Sequence, residues 1–209
     1  RIHRRYNPEG LSRYNIVPGL IGTILTMTMV MLTGLAMTRE RERGTMENLL
    51  ATPVRPSEVM VGKILPYVVM GYIQLAVILL AAFALFQVPM EGSMLLLMAM
   101  IGVFIIANLA VGFTFSTIAR NQLQAMQMTF FFFLPSMLLS GFMFPFRAMP
   151  VWAQRVGEVL PLTHFLRIVR GILLKGNSAP QVLGELWPML AFMTVVSVVA
   201  LKRYRQTLD

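Results

Sequence analysis

"GLIGTILTMTMVMLTGLAMTRERERGTMENLLATPVRPSEVMVGKILPYVVMGYIQLAVILLAAFAL", residues 19–85, is the stretch that decides how this chain folds. Two uncharged apolar runs flank one dense charged segment, Thr38–Lys63, in which Arg and Glu alternate, Gly44 follows, and prolines frame what comes next. About 20 residues of helix cross a hydrocarbon core roughly 30 Å thick. The uncharged runs, from Arg13 to Arg39 and from Lys63 to Glu91, both exceed that length. The charged segment therefore reads as the aqueous connection between two membrane-spanning helices.

Working outward, the pattern recurs. No Asp, Glu, Lys or Arg lies between Glu91 and Arg120, or between Arg120 and Arg147. A shorter apolar run, 182–201, has Glu185 near its start. The expected fold is all-α: a polytopic integral membrane protein with five spans at about 16–38, 64–88, 93–119, 122–146 and 182–201. One such run could be a buried helix of a soluble core, but four in series argue against it. Charged residues make up 13% of the 209, half the share of an ordinary soluble domain. The net charge of +9 is then no nucleic-acid signal. Its Lys and Arg flank apolar helices, where they meet lipid headgroups. Without Cys there is no disulfide framework and no thiolate metal site. A start at Arg1, without Met or signal peptide, reads as a fragment of something longer.

Loop charge leaves the orientation open. Residues 1–13, Glu91 and 147–181 carry nine Lys/Arg, and 39–63, Arg120 and 202–209 carry the other nine. Basic residues hard against span ends (Arg39, Arg41, Arg43, Lys202, Arg203, Arg205) weakly favour the second set as cytoplasmic.

Residues 1–15 form an exposed lead-in, and 202–209 a tail. Asn108, Gly112 and Ser116 recur at i, i+4 and i+8 on the third span, a face suited to close helix packing, with a pathway lining as the alternative. Pro135 is expected to kink the fourth span after the four phenylalanines 130–133. Residues 147–176 read as two short helices: Pro150 opens the first, Pro161 closes it, Thr163 caps the second and Gly176 ends it. In the second helix His164, Arg167, Arg170 and Lys175 lean to one side with apolar residues on the rest, so the sequence predicts a helix lying in the membrane interface, with Arg147 just ahead of it. His164 and His3 are the only histidines, too few for a metal site.

No GxxxxGK[ST] loop, HExxH or GxSxG motif occurs, so no enzymatic activity is expected of the chain alone. The first four spans contain no ionisable side chain of the kind an ion-coupled carrier keeps at depth. Either the chain is a passive scaffold or its power comes from a partner.

The charged segment bears on that choice. Gly44 can break the first helix after pairs Arg39–Glu42 and Glu40–Arg43. Thr45 can cap a new helix with Glu47 near its positive end. Met46, Leu49 and Leu50 then share one face until Pro53, and Pro56 restarts a helix into the second span. Geometry alone leaves a docking knob and a stub resting on lipid equally open.

The run ERGTMENLLATP (42–53), with Gly62-Lys63 and Pro66, resembles the signature loop of the permeases of ATP-binding-cassette exporters of the second type. "NPEG…YNIVPGLIG" near the start and "SGFMFP…MPVWAQ…LPLTHFLRIVRGILLKG" near the end do so too. The resemblance covers essentially the whole chain. It implies six spans in the full protein, the first absent here, in a bacterial inner membrane. It implies that 39–63 and 202–209 are cytoplasmic and that 147–176 forms outward re-entrant helices closing an export path. It further implies a coupling helix at Gly44, Thr45, Glu47, Leu50 and Pro53 docking into a separate ATPase subunit, which holds ATP and Mg while this chain holds no cofactor. A second permease, identical or not, is the other expected partner. An ion-coupled secondary transporter, or a scaffold that only tethers an ATPase, is the alternative.

Overall fold

A computed structural model describes residues 13–43, 56–86 and 90–206. Among them are seven α-helices: α1 (Arg13–Glu42), α2 (Pro56–Phe86), α3 (Met94–Ile118), α4 (Gln122–Leu139), α5 (Val151–Gly157), α6 (Pro161–Lys175) and α7 (Ala179–Gln206). A single 3-10 turn, Phe146–Ala148, precedes α5. Among the described residues four helices are long and apolar enough to cross a membrane, over Ile16–Glu40, Val61–Leu85, Met94–Ile118 and Ala179–Arg203. The chain is an all-helical, multi-pass membrane protein.

The helix of the expected fourth span stops at Leu139, short of 146. Gly141 turns the chain with φ +84, a conformation that side chains with a Cβ rarely adopt. Three glutamines, Gln122, Gln124 and Gln127, also dilute the apolar character of α4. Pro135 lies inside α4.

α1 and α3 form the centre of the bundle, and α2 and α7 its lipid-facing flanks. The central pair meets backbone to backbone. A Cβ on Gly112 would stand 2.5 Å from the Val30 carbonyl oxygen, so only glycine fits there. Asn108 and Ser116 are buried beside it, the Asn108 amide donating to the Phe104 carbonyl at 2.9 Å and the Ser116 hydroxyl to that of Phe113 at 2.6 Å. The polar face of α3 is thus a packing face. Thr23, Thr26, Thr33 and Thr38 of α1 are likewise buried, each donating to the carbonyl four residues back.

Contacts fix which helix ends lie together. Met37, Phe113 and Ala200 cluster with Ile64, so the C-terminal ends of α1, α3 and α7 share one end of the bundle with the start of α2. Leu97, Leu162, Phe165, Ile172 and Val182 belong to the larger core that continues toward the opposite end. There α6 is inserted among α1, α3 and α7. Leu162, Phe165, Leu166, Val169 and Ile172 are fully enclosed, and Phe165 stacks on Phe104 with ring centroids 3.8 Å apart. Gly22 of α1 makes room: a Cβ there would sit 2.7 Å from Leu162. A helix apolar around most of its circumference is a buried helix, and its few polar positions find protein partners. The exposed Trp152 on α5 and Trp187 on α7 flank this wedge, the amphipathic belt expected at the membrane–water boundary.

Pro161 starts α6 rather than closing the helix before it. Its missing N–H costs nothing at the first helical position, after Leu160 as N-cap. Thr163 therefore does not cap; its hydroxyl donates to the Gly157 carbonyl at 2.6 Å and ties α6 back to α5. Pro150 opens α5, and Gly176 ends α6 with φ +63.

Candidate functional site

Gly44, Thr45, Met46, Glu47, Leu49, Leu50 and Pro53 lie outside the described residues. Their two flanks are described, and polar contacts clasp them together. Glu40, near the end of α1, pairs with Lys63 in the second turn of α2. Glu42, the last residue of α1, accepts from both the backbone N–H (2.8 Å) and the side-chain amide of Gln122, the first residue of α4. Arg39 Nε donates to the same Gln122 at 3.2 Å. α4 has no acidic residue in its first turn, so Glu42 supplies from another helix the negative charge that a helix N-terminus favours. Those hydrogen bonds hold the Glu42 carboxyl below its ordinary range, with Arg39 a smaller cause. The charges at the end of α1 join it to α2 and α4. Asn121, the N-cap of α4, accepts from the Gln124 N–H at 2.8 Å and makes the α3–α4 turn compact.

At the opposite end of the bundle a second cluster surrounds the start of α6. His164, whose side chain is 5% exposed, is enclosed by protein. Its Nδ1 lies 2.6 Å from Glu185 Oε2 on α7, and its Nε2 lies 2.8 Å from the Glu158 carbonyl oxygen. Arg167, one turn on, donates through two nitrogens to the Glu158 carboxylate, at 3.0 and 2.6 Å, and reaches Glu185 at 3.3 Å. Its guanidinium also sits 4.7 Å from the centre of the Phe146 ring. The Arg167 hydrogen bonds hold the Glu158 carboxyl below its ordinary value against opposing burial. In return Arg167 is held above its own, first by Glu158 and then by Glu185.

Arg170 is turned the other way. Its guanidinium donates to the Gly141 carbonyl at 3.3 Å, a cation set against the C-terminal end of α4, and burial lowers its proton affinity. Arg147 is exposed in the 3-10 turn. His164, Arg167 and Arg170 of the polar stripe on α6 therefore meet partners on α5, α7 and the end of α4, while Lys175 is exposed. Sequence reasoning missed Glu158 and Glu185 as its partners. The available signal was an acid at the start of an apolar run, Glu185, with a histidine standing in another apolar helix.

A shallow groove of about 560 Å³ opens between the α2–α3 turn (Glu91, Gly92, Ser93) and the α6–α7 turn (Gly176, Asn177, Ser178). Glu91 N–H donates to the Leu173 carbonyl at 3.1 Å, so the two turns are anchored to each other. No group of three or more His, Cys, Asp or Glu able to hold a metal occurs among the described residues.

Comparison with known proteins places this geometry in a family. The ABC-2 type transporter family matches residues 4–174. "Probable multidrug ABC transporter permease YbhR" of Escherichia coli is 31% identical over 201 residues, which are 96% of this chain and 55% of that protein. "Probable multidrug ABC transporter permease YbhS" of the same organism is 36% identical over 173 residues, covering 82% and 46%. "Inner membrane transport permease YhhJ" of E. coli is 32% identical over 214 residues, covering 98% and 55%. The chain spans about half the length of these curated relatives. On the extent of that match and an all-helical bundle suited to a membrane, the chain belongs to the ABC-2 type transporter family and is part of its membrane-embedded permease component.

Proposed function

We propose that this chain forms the membrane part of a permease subunit of an ATP-driven exporter in a bacterial inner membrane, with α4 as a fifth, short crossing. In this reading it pairs with a second permease, and residues 39–63 couple it to separate ATPase subunits that bind ATP and Mg²⁺. The observation that carries the reading is the clasp at one end of the bundle. Glu40–Lys63 joins the two flanks of the charged loop, and Glu42–Gln122 joins them to the α3–α4 turn. A push on 44–55 is thereby delivered to α1, α2 and α4 together. α4 rises about 27 Å at 1.5 Å per residue, close to a hydrocarbon core.

The cycle follows from those connections. Closure of the ATPase dimer displaces the loop, gripped through Met46, Leu49 and Leu50; α1 and α2 tilt, and α4 follows through Gln122. α5 and α6, inserted at the opposite end, then close or open the far side of the path. Two packings separated by a few kcal/mol suffice for such alternation.

The test uses the full permease reconstituted with its ATPase partner. Glu47→Lys and Leu50→Asp are expected to lower substrate-stimulated ATP hydrolysis at least tenfold while the permease still inserts. Full coupling in both variants would remove the loop from the mechanism. Transport under an ion gradient with no ATPase present would favour a secondary transporter instead.

A further inference from the structure

We propose that His164 and Glu185 form a part-buried proton-binding site that locks α6 to α7. The site is independent of the coupling loop and of the direction of transport. Its geometry demands a proton. The Glu158 carbonyl, 2.8 Å from Nε2, can only accept, so Nε2 carries a hydrogen. A neutral ring protonated at Nε2 has a bare lone pair at Nδ1, and an ionised Glu185 offers only lone pairs. At 2.6 Å the two would repel. One further proton between Nδ1 and Oε2 turns that repulsion into a charge-assisted hydrogen bond.

Charge balance points the same way. With the proton bound, His164 and Arg167 offset Glu158 and Glu185; without it the cluster carries a net negative charge around a side chain withdrawn from water. Among the described residues no charged side chain on the helices packed against it corrects the imbalance. α1 is uncharged between Arg13 and Arg39, and α3 and α4 contain no Asp, Glu, Lys or Arg. On α6 itself Arg170 is committed to Gly141, and on the preceding segment Arg147 and Arg155 are exposed. Glu185 lies in the second turn of α7, two residues before exposed Trp187, so the pair sits near the membrane boundary where aqueous protons can reach it.

The consequence is a junction whose strength follows proton activity on that side of the membrane. α6 packs through apolar contacts on α1 and α3, and α7 packs along α3, so the proton strengthens the joint between two helices that share one core.

The experiment is nitrogen NMR on the full permease with its ATPase partner, ¹⁵N-labelled at histidine, in lipid nanodiscs near neutral pH. One signal, absent from His164→Gln, is expected to show both ring nitrogens protonated or one proton shared with a carboxyl. In Glu185→Gln it is expected to become a neutral ring protonated at Nε2, and in Glu91→Gln to stay unchanged. If His164→Gln does not fold, the Glu185-sensitive signal makes the assignment. A double-mutant cycle between positions 164 and 185, read from unfolding equilibria, is expected to give a coupling of about tenfold or more that collapses as the pH is raised. A neutral His164 in the wild type with Glu185 ionised, a signal indifferent to Glu185→Gln, or a coupling unchanged by alkaline pH would each overturn the proposal.

Discussion

The two polar clusters sit at opposite ends of one bundle and use the same chemistry in different solvents. At the loop end Glu42 is exposed and its partner Gln122 is half-buried. At the far end His164 is enclosed and its partners are only partly exposed. The first cluster can break and reform at little cost, because water and ions replace what is lost. The second cannot, because its central group has no water to turn to. One is suited to passing on a movement, the other to holding a position.

The largest expected break in that contrast comes from His164→Ala. Removing the enclosed partner leaves the Glu158 carbonyl unpaired and Glu185 with Arg167 alone, with a loss of about 2–3 kcal/mol in unfolding free energy, moderated by the partial exposure of Glu185. Chemical denaturation in mild detergent measures it, and a loss below the effect of an exposed surface change would erase the difference between the two ends. Next is Arg167→Met, which keeps an unbranched aliphatic side chain but abandons both carboxylates and the guanidinium contact with Phe146; an expected loss of about 1–2 kcal/mol is read the same way.

A pH series sharpens the contrast further. The folded-state affinity of Glu158 for protons is depressed, so its contribution is fully present above the ordinary glutamate value of 4.5 and is lost as the pH falls through the lower folded value. Glu158→Gln is expected to flatten that acid limb, and an unchanged limb would contradict the pairing with Arg167. The smallest effect belongs to Glu42→Gln. Stability is expected to stay close to that of the unsubstituted protein and to become less salt-dependent, while substrate-stimulated ATPase activity drops severalfold. Full coupling in that variant would show that α4 does not follow α1.

Much of this was legible in the charge-free runs. The two gaps flanking Arg39–Lys63 and the gap between Glu91 and Arg120 correspond to three helices long enough to span, the fourth such helix is the run that holds Glu185, and Gly176 and Pro56 stand where helices end and begin. Two things were not legible. α4 stops early because Gly141 adopts a positive φ, a conformation whose need is set by the fold around it and not by the apolar run it interrupts. The stripe His164, Arg167, Arg170 looked like an interfacial face because the groups that satisfy it, Glu158, Glu185 and the Gly141 carbonyl, lie on other elements. Periodicity reports which side of a helix is polar. It cannot report whether water or another helix meets that side.

The glycine seam at Gly112 has a mechanical consequence. Where two central helices touch main chain to main chain there is no interlocking side chain to shear, and no slack to separate without opening a void. That spot can act as a fulcrum: α1 and α3 can rock about it like the arms of a pair of scissors, so that spreading at one rim narrows the other. Filling it with even one methyl group would jam the pivot and leave both rims standing as they were folded.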